Sequence, residues 1–215
     1  MEHSVLSYSL VCLWAKPVQK IPILDKKFCL DLFDDPYNTE HGLSDDGFVV
    51  VLNEGKNPTP LFKINPLRIQ FLHRSLDELI NTTGKVVSQL IELTSSEFQF
   101  NIRALGINTE HEWTGLDKNA EDYLAEEYLN AKINKQDSDN LFIKTKTLDF
   151  QIISNDNGRF GVKLEPRANN KKSIFCKIND HRVTDLNEFP NENEIRSLFD
   201  DSLDKLEKHI FNRII

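Results

Sequence analysis

Residues 158–178 read GRFGVKLEPRANNKKSIFCKI, and this stretch decides the fold. Phe160, Val162 and Leu164 alternate with Gly161, Lys163 and Glu165, while Ile174, Cys176 and Ile178 alternate with Phe175 and Lys177. A period of two places the apolar side chains of each segment on one face, so each reads as a half-buried strand. Just upstream, Asn155-Asp156-Asn157-Gly158 separates a strand ending near Ile153 from one starting near Arg159. Asn-Gly supplies the positive φ angles of a tight hairpin turn, so these strands are expected to be antiparallel neighbours. A β-meander over about 141–179 follows.

Downstream the period changes to helical. Asn191 is placed to cap, Glu194 occupies the third helical position, and the early acids favour the positive end of the helix dipole. Ile195, Leu198, Phe199, Leu203, Leu206, Ile210 and Ile214 form one stripe opposite Asp200, Asp204, Glu207 and Lys208. A terminal helix of about 191–213 would be roughly 30 Å long.

Working back toward the start, Leu6, Tyr8, Leu10, Cys12 and Trp14 alternate with Ser7, Ser9, Val11 and Leu13, which predicts a strand able to lie centrally. The stretch 31–47 carries six acids and no Lys or Arg, and reads as an exposed acidic loop. A short strand is expected at 48–52, and 61–73 resumes strand character with an edge, bulge or bend at Asn65-Pro66, because proline cannot donate to a ladder. Ser75-Leu76-Asp77-Glu78 has the form of a capping box and opens a helix burying Leu76, Leu79, Ile80, Val87, Leu90 and Ile91. Phe98, Phe100, Ile102 and Ala104 alternate as a strand, with a bulge expected at Gly106 before Ile107. A helix over 117–133 would bury Ala120, Leu124, Tyr128 and Ala131. The pattern predicts one α+β domain over 1–215: a largely antiparallel sheet packed against the middle helix and the long C-terminal amphipathic helix.

Composition limits function. Of 215 residues, 39% are hydrophobic and 28% charged, ordinary values for a soluble globular protein rather than a disordered one. The longest apolar run, 5–15, is cut by Ser7 and Ser9, so no membrane partner is expected, and the opening Met1-Glu2-His3 lacks the basic flank of a secretory signal. Cytoplasmic residence is the expectation. Cys12, Cys29 and Cys176 are odd in number, widely spaced and set in apolar patterns, as buried thiols would be.

Net charge is −8, which argues against a surface built wholly to cover nucleic-acid phosphate. Charge is nevertheless segregated. Seven cations face two acids over 159–182, and Lys163, Arg167, Lys171, Lys172 and Lys177 are the candidate phosphate patch; eight acids face two cations over 185–207.

No phosphate loop, dinucleotide fingerprint, Cys-x-x-Cys pair or nucleophile elbow occurs. His111-Glu112 begins like a zinc-protease motif, but Gly115 stands where the second histidine must be. Carboxylates around His41 (Asp31, Asp34, Asp45, Asp46) are hard oxygen donors without the spacing of a calcium loop. Asp149, Glu165 and Arg167 evoke a metal-dependent nuclease, yet Pro166 intervenes and arginine does not deprotonate to serve an attacking water. His73 and His181 lie beside expected strand ends without a Ser, Cys or Asp partner to complete a triad. Of the two tryptophans, Trp14 is expected in the core by its register, and Trp113, read as lying beyond a strand, is the expected exposed anchor.

The function expected is therefore a non-enzymatic interaction or accessory protein whose partner is another protein, met through a sheet edge, the acidic loop or the terminal helix. Asp34, Asp35, Asp45, Asp46 and Trp113 are the contact candidates. A small-ligand-binding domain is the alternative, and a metal-dependent nuclease or other nucleic-acid-binding protein ranks below it. No cofactor and no metal is expected.

Overall fold

In the computed structural model, the described residues are 1–18, 39–44, 47–52, 59–94, 100–128, 147–153 and 158–209. They form one nine-stranded sheet and three helices. The strands are β1 (Glu2–Trp14), β2 (Thr39–Ser44), β3 (Gly47–Leu52), β4 (Thr59–Asn65), β5 (Arg68–His73), β6 (Ile102–Thr114), β7 (Leu148–Ile153), β8 (Arg159–Arg167) and β9 (Asn170–Leu186). The helices are α1 (Leu76–Thr94), α2 (Ala120–Tyr128) and α3 (Glu192–His209). Spatial order is β2-β3-β4-β5-β1-β6-β9-β8-β7, and every neighbouring pair is antiparallel. Two meanders, β2 to β5 and β7 to β9, thus flank a central pair of 13-residue strands, β1 and β6.

The central place of β1 follows from its alternation. Leu10, Cys12 and Trp14 are buried on the helix-covered face, opposite Ile107, Leu105 and Ile102 of β6. The same face of β3, β4 and β5 adds Val50, Phe62 and Phe71, and α1 and the first half of α3 close over it with Leu79, Leu90, Ile195 and Phe199. A second cluster joins Val162, Leu164, Cys176 and Ile178 to Leu124 of α2 and Leu206 of α3. The terminal helix bridges both clusters, which makes it structural.

Both helix entries use the expected caps. Asn191 Oδ1 accepts from the Glu194 amide at 3.1 Å while the Glu194 carboxylate accepts from the Asn191 amide at 2.8 Å, a reciprocal box. Ser75 Oγ accepts from the Glu78 amide at 3.5 Å. Among the described residues no helix is long and apolar enough to cross a membrane.

Several expectations change. Asn65-Pro66 is not a bend within one strand but the turn of the β4–β5 hairpin, where Asn65 Oδ1 accepts from the amides of Leu67 and Arg68, both at 2.9 Å. The second half of the supposed acidic loop is the β2–β3 hairpin, while 31–38, 45 and 46 lie outside the described residues. Gly106 pairs in unbroken register with Val11 and His181; the irregularities fall instead at Val5/Ser7, Leu13/Trp14 and Ile102/Ala104. The buried face of α1 uses Val86 where Ile91 was expected, and Ile91 is exposed. The second helix starts at Ala120, after Gly115 at φ 73° and the buried Leu116 have turned the chain. The meander's last strand does not stop near 179 but continues as β9 to Leu186, so His181 is mid-strand. Positions 131, 141–146, 210 and 214 lie outside the described residues.

One buried charge ties the sheet to α3. Asp180 on β9 is almost fully enclosed, and its carboxylate accepts from Arg182 Nη2 at 2.8 Å and from Lys205 Nζ of α3 at 3.1 Å. Arg182 also donates to the Leu198 carbonyl at 3.0 Å. Removing one member of such a group strands the others. Asp180→Ala is expected to destabilise the protein by about 3 kcal/mol and lower Tm by roughly 10 °C. Scanning calorimetry checks this, and a shift under about 2 °C would show that the cluster is dispensable.

Candidate functional site

With all three helices on one face, the other face of the sheet stays uncovered among the described residues. Register assigns its side chains to rows that run across the strands. One row is Asp149, Lys163, Lys177, Glu110 and Ser7; the next is Gln151, Gly161, Asn179, Asn108, Ser9 and Leu72; a third is Ile153, Arg159, His181, Gly106, Val11, Gln70 and Lys63. Short residues at the centre of these rows leave a trough of about 470 Å³ over β5, β1, β6 and β9. Its floor is Gly106, Ser7 and Ser9; its polar walls are Arg68, Gln70, Asn108, Glu110, Lys177 and Asn179.

Gly106 is not small because the fold demands it. A Cβ there would sit 3.5 Å from Val11 Cβ, an ordinary contact, so the glycine leaves backbone open to the trough. The polar lining is partly preset: Gln70 Nε2 donates to Ser9 Oγ at 3.3 Å, Ser7 Oγ donates to Glu110 at 3.2 Å, and Lys177 lies 3.5 Å from the same carboxylate. The guanidiniums of Arg68 and Arg159 have no acidic partner among the described residues.

The five residues of the candidate phosphate patch lie on β8 and β9, and of them Lys177 lines the trough. Lys163 and Lys177 are cross-strand neighbours, but Lys163 is bound to Glu165 at 2.7 Å. Arg167 is drawn back, with Nε 3.1 Å from Glu112 and its guanidinium carbon 4.6 Å from the centre of the Phe175 ring. Lys171 and Lys172 are exposed where β9 begins, away from the trough. Asp34, Asp35, Asp45 and Asp46 lie outside the described residues.

Trp113 corrects an expectation. It is 6% exposed, because β6 runs on to Thr114 and carries Ile107, Thr109, His111 and Trp113 on the core face. Its ring stacks on His3, 4.5 Å between centroids and 8° between planes. His3 Nε2 and His111 Nδ1 share a hydrogen bond at 3.0 Å, and His111 Nε2 lies 2.8 Å from Thr109 Oγ1. Burial, then the neighbouring His3, lowers the His111 pKa to about 4; burial also lowers that of His3, against the opposing pull of Glu207. This histidine pair was not visible in the sequence, where its members are 108 positions apart.

Of the nuclease trio, Glu165 is ion-paired with Lys163 and Arg167 with Glu112. Asp149 faces Lys163 across the β7–β8 ladder, and Arg167 serves Glu112. Hydrogen bonding from Lys163 holds the Glu165 carboxyl below its usual range, with Thr147 adding to it. His111-Glu112 sits on a strand, which cannot present two ligands one helical turn apart. His73 ends β5, buried, with its pKa lowered to about 4 by burial. Among the described residues no group of three or more His, Cys, Asp or Glu side chains is placed to hold a metal.

A small apolar void lies beside Trp113. Between Met1, Trp113, Tyr123, Leu124, Tyr128, Leu164 and Ile174 there is a void of about 10 Å³, room for at most about one water. Among the described residues the molecule is a helix-backed antiparallel sheet whose other face is open and carries the trough. No known family model matches the chain, and no curated protein shows significant similarity to it.

Proposed function

We propose that the protein is a non-enzymatic interaction or accessory protein and that it binds a partner protein through the open face of its sheet. The observation that carries this reading is the trough itself: small residues from β1 and β6, walled by polar side chains from β5 and β9, on a face no described helix covers. The terminal helix, one of the three contact surfaces expected from the sequence, is committed to the core through Ile195, Phe199 and Leu206. A small-ligand carrier needs a closed apolar cavity of roughly 300 Å³ or more, which supports ranking it second. Cytoplasmic residence belongs to the same proposal. Cys12 and Cys176 are unpaired and buried, and burial raises both thiols, that of Cys176 to about 12, so they act as inert core residues.

Asn108→Trp tests the reading. The substitution fills the middle of the trough without changing charge, and tryptophan suits a strand. Proteins that co-purify stoichiometrically with the wild-type chain from its native source should be lost from the variant, while Tm moves by no more than a few degrees. Equal recovery from both would remove the open face from consideration.

A further inference from the structure

We infer that the trough receives an extended, acidic polypeptide segment of its partner; this rests on the reading of the open face as the binding surface. Charge is partitioned between the two sides of the sheet. The three helices carry thirteen acids against four cations, Lys85, Arg196, Lys205 and Lys208. Besides Lys63, the trough with its three register rows carries Arg68, Arg159, Lys163 and Lys177 against Glu110 and Asp149. The adjacent row brings Glu112 and Glu165, with Arg167 already bound to the first and Lys163 to the second, so cations remain in excess. On a chain of net charge −8, this face is a positive island. An anionic partner is steered to it and repelled from the helix layer.

The lining favours polypeptide over nucleic acid. Gln70, Asn108, Asn179, Ser7 and Ser9 each carry both donor and acceptor capacity, the groups that the amides and carbonyls of an extended chain can use. Single-stranded nucleic acid needs aromatic platforms on which bases stack, and the trough lining contains no Phe, Tyr or Trp. The one ring in the lining is the imidazole of His181, and Phe175, on the same face, is capped by Arg167. From β5 to β9 the trough spans three strand intervals, about 14 Å, which holds roughly four extended residues. Glu110 does not oppose entry strongly, since Lys177 and Ser7 already engage it. Arg68 at the rim is left to receive a carboxylate, while Lys177 on the opposite wall already serves Glu110.

The probe is a fluorescein-labelled octaglutamate peptide, followed by anisotropy at about 25 mM and about 200 mM NaCl, with a labelled thymidine octanucleotide run in parallel. Octaglutamate should bind at low salt and weaken by about tenfold at the higher salt. Arg68→Glu and Lys177→Glu should each weaken it by about tenfold or more, while Lys208→Glu on α3 leaves it unchanged. Arg68→Gln and Lys177→Gln serve if either reversal lowers Tm, and should show a smaller loss in the same direction. No octaglutamate binding at low salt, tighter binding of the octanucleotide, or equal weakening by Lys208→Glu would each overturn the inference. If Asn108→Trp still loses a co-purifying protein while octaglutamate fails to bind, only the acidic character of the partner falls. If Asn108→Trp loses nothing, the open-face reading falls with it.

Discussion

Leu206→Asp should abolish the cooperative thermal transition, or shift expression to aggregated material. Leu206 is 2% exposed and sits with Val162, Leu164, Cys176 and Leu124 in the cluster that joins α3 to the β7–β9 half of the sheet. Truncating a buried leucine costs about 2–5 kcal/mol, and forcing a carboxylate into the same apolar space adds a penalty of several kcal/mol more. That total approaches the whole stability of an ordinary domain. Leu206→Ala separates packing from charge: it should remain folded but melt lower, because it leaves a cavity without an ion. Leu203→Asp, one turn earlier on a half-buried position, should be far milder. A wild-type melt for Leu206→Asp would mean that the second half of α3 does not pack on the sheet.

Much of the fold was legible because its signals are local. The alternation of Leu10, Cys12 and Trp14, the Asn191-Glu194 box and the α3 stripe each depend on residues within a few positions of one another. The trough was not legible, because Ser9, Asn108 and Asn179 become neighbours only when β1, β6 and β9 are paired in one register. Sequence also hides how far a strand runs. Trp113 reads as lying beyond a strand, flanked by Glu112 and Thr114; because β6 runs on to Thr114, parity carries the tryptophan into the core. The five candidate cations are spread along the β8–β9 hairpin. Adjacency in sequence placed Lys171 and Lys172 with Lys177, whereas the sheet gives Lys177 to the trough and leaves the other two at the start of β9.

Acid should unfold this protein earlier than its carboxylates alone require. His73 and His111 are buried, and burial lowers both pKa values from 6.5 to about 4. Between those values the unfolded chain binds protons that the native state refuses, so stability is complete above pH 6.5 and is lost as pH falls toward 4. Each histidine contributes a slope of about 1 kcal/mol per pH unit in that window, and the two stand on β5 and β6 with β1 between them and share no hydrogen-bond partner, so their effects should add. His73 has Glu78 3.8 Å from Nδ1, but that carboxylate is largely exposed and does not offset the burial; the imidazole Nε2 has no hydrogen-bond partner among the described residues. His111 instead is tied to His3 and Thr109. Urea midpoints at pH 7, 6 and 5 should fall steadily with an unchanged m-value. His73→Gln and His111→Gln should each flatten the profile, whatever they do to stability at pH 7. A wild-type midpoint that stays level from pH 7 to pH 5 would show that water reaches both imidazoles, and that β1 does not seal against β6 at the His3–His111–Trp113 stack.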